Sequence, residues 1–239
     1  MYRGSCGSSQ PPPSRVSHRL DVDRDDEGTP VRGMLFSQME PPANLEVDFN
    51  VWYDEEHIPD RLAIDGFERA DRYVEVDAER RYLAVYQLSD LAALDDPAYR
   101  RLKDEPSERT SRMLSSVSGF TRFTCEMTFD SGKAGDHNYL AAVAFPVDDA
   151  DAEQFDDWYD TEHAPMLLEA DDWLRVRRYR VRSGDGGPWT HFALHELASR
   201  EVMDSDERRA AREGPKRDAL VNRPWFSQSG RWLYRRLGR

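Results

Sequence analysis

One motif occurs twice in this 239-residue chain, and the repeat limits the possible folds more than any other feature of the sequence. The first copy, FNVWYDEEHIPDRL, spans residues 49–62, and the second, FDDWYDTEHAPMLL, spans residues 155–168. The offset, 155 − 49 = 106 residues, holds without a gap as far as Tyr73 and Tyr179. Because self-similarity at a fixed period indicates a repeated structural unit, the sequence predicts two fused copies of one module.

Each copy of the motif has the spacing of an amphipathic helix. In the first copy the residues at positions i, i+3, i+4, i+7 and i+8 are Phe49, Trp52, Tyr53, Glu56 and His57. These positions form one face of a helix, and the second copy repeats the pattern. A proline follows each histidine by two residues and disfavours helical geometry at the residue before it. We therefore expect each histidine in the last turn of its helix, where the helix dipole favours imidazolium.

Segments with the apolar pattern of β-strands surround each predicted helix. In each half one strand precedes the helix, two follow it, and a polar helical stretch leads to a last strand. The predicted strands are Met34–Met39, Gly66–Val76, Tyr82–Leu88 and Phe120–Phe129 in the first half, and Tyr139–Phe145, Asp171–Val181, His191–Leu197 and Gly230–Leu237 in the second. This β-α-β-β-α-β order is the ferredoxin-like arrangement, an antiparallel sheet with helices on one face.

The predicted fold class is α+β, with two fused ferredoxin-like modules that pack sheet to sheet as a pseudo-dimeric α+β barrel. Along the third strand, Leu83 and Val85 alternate with Ala84 and Tyr86, so apolar side chains lie on both faces of the sheet. We expect a monomer with an internal pseudo-dimer, or a homodimer of fused chains. The expected segments are a flexible leader at 1–32, a first module at 33–130 and a second module at 131–239.

Composition and charge exclude several kinds of partner. The chain has 33 Lys and Arg against 46 Asp and Glu, a net charge of −13, which opposes binding to nucleic acids and anionic membranes. The longest apolar runs, such as residues 139–146, are far shorter than the roughly 20 residues that cross a bilayer. The start of the chain lacks the apolar stretch of a secretory signal, and the two cysteines form no disulfide framework or zinc motif. We expect a cytoplasmic protein with no nucleic-acid or membrane partner.

The residues Tyr53, Asp54, Glu56, His57 and Pro59, with their second copies, resemble the signature of the dimeric α+β-barrel superfamily, and more narrowly of its EthD-like branch. The resemblance covers about residues 33–239. It implies the barrel fold and a choice among cofactor-free oxygenases, aromatic polyketide cyclases, decarboxylases, lactone isomerases and haem-using enzymes. The chain departs from the EthD-like pattern at Glu56 and at its second copy, Glu162, where a second histidine is common. Because one fold supports many functions, the residues of the site must decide the activity.

The motif supplies the predicted catalytic residues in both copies. His57 and His163 are the predicted general acid or base, because imidazole titrates near neutral pH. The adjacent tyrosines would donate protons, and the aspartates three residues before the histidines would orient the imidazoles. These residues are Tyr53 and Tyr159, and Asp54 and Asp160. Alternatively, each histidine bonds a neighbouring group to lock the turn, and each aspartate is a solvated or capping carboxylate.

Aromatic and basic residues near the motif are predicted to bind the substrate. Trp52 and Trp158 would contact it, or would pack in the core. Arg72 and Arg178 would hold a substrate carboxylate through bidentate hydrogen bonds, or would pair with a helix carboxylate.

The two copies differ on the third strand of each module. Tyr82 and Tyr86 align with His191 and His195 at an offset of 191 − 82 = 109, and both pairs are further predicted substrate-binding residues. Together with His163, the two histidines would offer three imidazoles to a metal, but the spacing matches no metal motif and we expect no metal. We also expect no cofactor, because the sequence has no Gly-rich phosphate loop, nucleophile elbow or Rossmann fingerprint.

These residues predict a cofactor-independent lyase or isomerase. Its reaction would be decarboxylation, dehydration or cyclisation of a small, largely apolar, enolisable aromatic or polyketide-like substrate by histidine acid–base chemistry. Two other hypotheses stay open. One is a non-catalytic protein that binds a hydrophobic metabolite in the same pocket, and the other is an oxidoreductase that depends on haem or a metal.

Overall fold

The computed structural model describes residues 30–78 and 80–238. The predicted leader therefore lies almost wholly outside the described residues. The described strands are β1 (Gly33–Glu40), β2 (Phe67–Glu75), β3 (Tyr82–Leu88), β4 (Ser118–Gly132), β5 (Tyr139–Phe145), β6 (Trp173–Asp185), β7 (His191–Leu197) and β8 (Gly230–Arg236). They form one closed antiparallel barrel in the order β1-β3-β2-β8-β5-β7-β6-β4.

Helices lie on the outer surface of the barrel. They are α1 (Glu46–Trp52), α2 (Ile58–Leu62), α3 (Pro97–Asp104) and α4 (Glu108–Ser116) in the first half, and α5 (Ala152–Trp158), α6 (Ala164–Leu167), α7 (Asp206–Ala210) and α8 (Pro215–Asp218) in the second. Short 3-10 turns occur at Ala43–Leu45, Leu91–Asp95, Asp149–Asp151, Glu201–Asp204 and Pro224–Gln228. Both halves thus have the same order of strands and helices. Among the described residues, no helix is long and apolar enough to cross a membrane.

The barrel closes because the two halves pair edge to edge. Within the halves the strand orders are β4-β1-β3-β2 and β8-β5-β7-β6, so each half has two edge strands. β2 pairs with β8 and β4 pairs with β6, and every edge strand therefore has a partner in the other half. Closure removes the unpaired backbone groups that an open sheet would expose. The predicted α+β class and barrel are confirmed, whereas the edge pairing was not part of the prediction.

Apolar side chains pack on both faces of the barrel wall. Leu83 and Val85 of β3 belong to the inner core, where Phe36 and Phe192 bring the two halves together with ring centroids 4.9 Å apart. Alternate residues of β3, including Tyr86, belong to a second core beneath the helices. The sheet is therefore buried on both faces, as the apolar pattern of the third strand predicted.

A polar cluster is buried on the inner face of the barrel. Arg177 is 1% exposed and donates to Glu196 at 2.7 Å, and His137 Nε2 lies 2.8 Å from the hydroxyl of Tyr73. Glu196 neutralises a guanidinium whose burial without a partner would be very unfavourable. Neighbouring residues of a strand point to opposite faces, so this cluster lies across the barrel wall from His195.

The motif helix continues past each histidine through a wider π-turn. The π-turns Tyr53–His57 and Tyr159–His163 join α1 to α2 and α5 to α6. The proline after each histidine lies in the first turn of α2 or α6, directly after the π-turn. The prediction that each histidine lies in the last helical turn is therefore wrong. π-turns of this kind occur frequently at functional sites.

Gly132, at the end of β4, is expected to tolerate no side chain. Its φ is +101°, and an added Cβ would lie 2.3 Å from the carbonyl oxygen of Leu174. A Gly132→Ala variant should lose about 2–4 kcal/mol of unfolding free energy through backbone strain and this clash. Gly135→Ala is the matched control because nothing lies within 4 Å of its added Cβ. Urea titrations that find equal stability for the two variants would contradict this expectation.

Candidate active site

A cavity of about 360 Å³ lies in the second half, between the outer face of the sheet and the segments that cover it. Its size lies within the range of small-molecule binding sites. Aromatic and imidazole side chains line it, including Trp158, Tyr159, His163, Trp173, His195 and Phe226. Four arginines line it as well, namely Arg208, Arg212, Arg217 and Arg231.

Hydrogen bonds fix the tautomer of His195 and the direction of the Tyr159 hydroxyl. The indole N–H of Trp173 donates to His195 Nδ1 at 3.1 Å, so the hydrogen of the neutral ring is on Nε2. That Nε2 lies 2.9 Å from Tyr159 Oη and donates to it. Burial lowers the pKa of His195 to about 3, which keeps the ring neutral. The hydroxyl hydrogen of Tyr159 is therefore free to bond a ligand.

His163 has its two ring nitrogens in different roles. Nδ1 lies 2.8 Å from the carbonyl oxygen of Ala211, which accepts only, so Nδ1 carries the hydrogen. Nε2 then presents a lone pair. Burial lowers the pKa of His163 to about 4, although the hydrogen bond to Ala211 acts in the opposite direction. The expectation that the helix dipole would favour imidazolium is therefore wrong, because desolvation outweighs it.

Trp158 places an unpaired donor beside the same cavity. In the first half, the indole N–H of Trp52 donates to Thr110 Oγ1 at 3.0 Å. The equivalent indole of Trp158 is 2% exposed and has no acceptor among the described residues. A buried N–H without a partner is unfavourable, so a ligand or a water molecule that accepts from it would be stabilising.

The predicted arginines and aspartates of the motif contact each other. Arg72 donates to Asp54 at 2.8 Å, and Arg178 donates to Asp160 and to Asp156. The guanidinium of Arg72 also lies 4.4 Å from the centre of the Tyr53 ring. The contacts match the alternative in which each arginine pairs with a helix carboxylate. Orientation of the histidines by the aspartates, and substrate binding by the arginines, stay predictions.

Glu56 and Glu162, the equivalent glutamates of the two motif copies, have a visible structural role. Glu162 accepts from the backbone N–H groups of Lys216 and Arg217 at 3.1 Å and 3.2 Å, at the start of α8. Glu56 accepts from the hydroxyls of Ser107 and Thr110 at the start of α4. Each glutamate thus ties the π-turn to the second helical region of its half.

The equivalent residues of the first half are packed differently. His57 is 5% exposed, burial lowers its pKa well below the usual range, and its Nδ1 has no acceptor among the described residues. Tyr53 Oη donates to Met39 Sδ at 3.6 Å. Tyr86, at the position of His195, has a buried hydroxyl without a described partner, and Tyr82 donates to Glu46 at 2.6 Å. Within the described residues, the first half therefore lacks the Trp–His–Tyr relay of the second half, in which Trp173 donates to His195 and His195 donates to Tyr159.

The histidines proposed as alternative metal ligands do not converge. His191 lies beside Thr190 and Asp156, and His195 Nδ1 accepts from Trp173. Within residues 30–78 and 80–238, no group of three His, Cys, Asp or Glu side chains has the geometry of a metal site.

A wider depression of about 1120 Å³ lies over β2 and contains the predicted residues Asp54 and Arg72. Its charged side chains largely neutralise one another. Asp71, for example, accepts from Arg69 at 2.6 Å and from Arg236 at 2.8 Å. The smaller cavity, with its free donor and free base, is therefore the better candidate for chemistry.

Solved structures with the same fold cover nearly the whole chain. An anthrone oxidase-like protein has a TM-score of 0.62 at 12% identity over 89% of this chain and 93% of its own. A putative monooxygenase from Fusobacterium nucleatum has a TM-score of 0.61 at 9% identity over 87% and 94%. Another from Lactobacillus acidophilus NCFM has a TM-score of 0.58 at 10% identity over 86% and 94%.

At such low identities these likenesses establish the fold and leave the activity open. No protein-family model and no curated protein matches the sequence. The chain therefore shares the α+β fold of these solved structures, with its eight strands closed into one antiparallel barrel.

Proposed function

We propose that the chain is an enzyme that moves a proton on a small, largely apolar, enolisable aromatic or polyketide-like substrate bound in the cavity of the second half. The observation that carries this proposal is the pairing of a base with a hydrogen-bond donor. The lone pair of His163 Nε2 and the free hydroxyl hydrogen of Tyr159 belong to side chains that line one cavity. The overall reaction would be that of a lyase or an isomerase.

The proton transfer uses the two residues in fixed roles. His163 Nε2 takes a proton from the carbon next to a carbonyl group of the substrate. The electron pair of the broken C–H bond forms a C=C bond, and the π pair of the carbonyl group moves onto its oxygen. Tyr159 donates a hydrogen bond to that oxygen as its charge develops. His195 and Trp173 hold Tyr159 in this orientation. Return of the proton to another atom completes an isomerisation, and loss of a leaving group completes an elimination.

We further propose that residues 33–130 and 131–239 are copies of one module, of the EthD-like type, in which the second copy became the active one. Equivalent contacts in the two halves support this view, since Arg72 and Arg178 meet equivalent aspartates, and Glu56 and Glu162 meet equivalent helix starts. Among the described residues, the Trp–His–Tyr relay at His195 occurs in the second copy alone. The fused pair would make its barrel within one chain.

Deuterium incorporation from D2O, followed by NMR, tests the proton transfer. Suitable carbon acids are anthrone and an aryl β-keto acid. The parent chain and a Tyr53→Phe/His57→Gln variant should catalyse incorporation, and a Tyr159→Phe/His163→Gln variant with an unchanged circular dichroism spectrum should not. Equal rates in the two double variants would refute the proposed site.

A second candidate function follows from the names of the structural neighbours. Proteins described as anthrone oxidase-like and as monooxygenases have this fold. After His163 has taken the proton, the substrate carbanion would pass electrons to dioxygen, which is the oxidant. The chain would then be an oxidase or oxygenase whose first step is the same proton transfer. Oxygen uptake during turnover, measured with an electrode, separates this candidate from the lyase or isomerase.

A further inference from the structure

We infer that the substrate of the cavity is an aromatic acid whose carboxylate is bound by Arg208, Arg212, Arg217 and Arg231. That this acid is a substrate rests on the proposed function, whereas its binding in the cavity does not. These four residues, the arginine group, were not predicted from the sequence. Arginine binds carboxylates through charge-assisted hydrogen bonds that a neutral group of the same shape cannot replace.

The arginine group has no carboxylate partners among the described residues. Nearby arginines are paired, since Arg209 forms an ion pair with Asp206 and Arg223 lies 3.3 Å from Asp151. By contrast, no described carboxylate lies within ion-pair distance of the four arginines of the group. One acidic side chain, the exposed Asp77, lines the same cavity. Four unpaired cations therefore surround one space in a chain whose net charge is −13.

Neutral groups make the close contacts of three of these arginines. Arg208 donates to the carbonyl oxygen of Met203, and Arg231 Nε donates to Ser229 Oγ at 3.1 Å. The guanidinium of Arg217 lies 5.2 Å from the centre of the Phe226 ring. Desolvation and the neighbouring arginine charges lower the pKa of both Arg208 and Arg217, as expected where cations are brought together. A bound anion would relieve this repulsion.

The position of the arginine group relative to His163 gives the orientation of the ligand. Arg208, Arg212 and Arg217 line the same cavity as His163, and their charges lower its pKa after the larger effect of burial. The carboxylate would bind beside these arginines, and the aromatic part would lie among Trp158, Trp173 and the other apolar walls. A carboxylate that neutralises the arginines would also raise the pKa of His163 and make it a stronger base when substrate is present.

Tryptophan fluorescence titrations with 1-naphthoate and the neutral 1-naphthamide test this inference. Naphthoate should bind about tenfold more tightly, or better, because the amide cannot form the charge-assisted contacts. In Arg208→Gln and Arg217→Gln variants this preference should disappear, and Arg208→Lys should recover part of it. Arg209→Gln is the matched control, because it removes an arginine of the same helix that already has a carboxylate partner.

Other results of the same titrations would overturn the inference. Equal affinity of the parent chain for the two probes, or no saturable binding of naphthoate, would overturn the inference. Inorganic phosphate that binds as tightly as naphthoate would show a general oxyanion site and would overturn the aromatic acid. The Tyr159→Phe/His163→Gln variant should still prefer naphthoate, so loss of proton transfer and loss of anion binding are distinguishable. NMR of the His163 ring should show its pKa rising when naphthoate binds.

Discussion

A His163→Gln variant is expected to catalyse deuterium exchange into a bound carbon acid about 10²- to 10⁴-fold more slowly than the parent chain. Glutamine has a similar size and can still donate to the carbonyl of Ala211, but it offers no imidazole lone pair to a proton. The loss should appear in kcat, because the base acts on substrate that is already bound. The measurement is the exchange rate by NMR at saturating substrate.

His57→Gln is the matched control because His57 occupies the equivalent π-turn of the first half. Its rate should equal that of the parent chain. A similar loss in both variants would indicate a structural effect, and an unchanged rate in His163→Gln would remove the proposed base.

The pH profile of the parent chain adds an independent check. For the free enzyme, kcat/KM should be constant around neutral pH and fall as the pH drops toward 4, because the pKa of His163 is lowered to about 4 and only the neutral ring accepts a proton.

The strands were the most predictable part of the fold. β3, β5 and β7 have the bounds expected from their apolar runs, since strands buried on both faces consist of almost continuous apolar residues. The pairing of β2 with β8 and of β4 with β6 was not predictable, because it depends on which edges of the two halves meet. The π-turns were missed for a related reason. Packing against the sheet selects their wider hydrogen-bond pattern, and the prolines alone suggested a helix end.

The site was predicted in part. The repeat and the 3.6-residue period placed Trp158, Tyr159 and His163 on one face of the helix. The alternation along β7 identified His195. All four side chains line the cavity. The arginine group was missed because the sequence around α7 and α8 mixes acidic and basic residues, as a solvated surface does. Only the three-dimensional arrangement shows which of these arginines are unpaired. The local sequence gave no signal for the Trp173 contact with His195, because the two residues are on different strands.

Stability is expected to fall steeply as the pH drops from about 6.5 toward 4, because folding keeps buried histidines neutral. Burial lowers the pKa of His163 and His191 to about 4 and of His195 to about 3, and lowers that of His57 and His137 as well. In the unfolded chain these rings titrate near pH 6.5. The contribution of these neutral rings to the free energy of unfolding is therefore fully present above pH 6.5. It is lost as the pH falls toward the pKa values of the folded chain. The slope contributed by each of His163, His191 and His195 approaches about 1.4 kcal/mol per pH unit between the unfolded-state and folded-state pKa values, where the ring is protonated only in the unfolded chain.

Urea titrations between pH 7 and pH 5 would measure this slope in a range where most carboxylates stay ionised. The slope of a His195→Gln variant should be smaller, by an amount that approaches about 1.4 kcal/mol per pH unit near pH 5, because one fewer proton is then taken up on unfolding. Glutamine is a suitable replacement because its amide can accept from Trp173 and donate to Tyr159, which are the two bonds that the neutral ring makes. If the slopes of the parent and variant were equal, His195 would have to be protonated in the folded chain. Its Nδ1 could not then accept from Trp173, and the tautomer assigned to His195 would lose its structural basis.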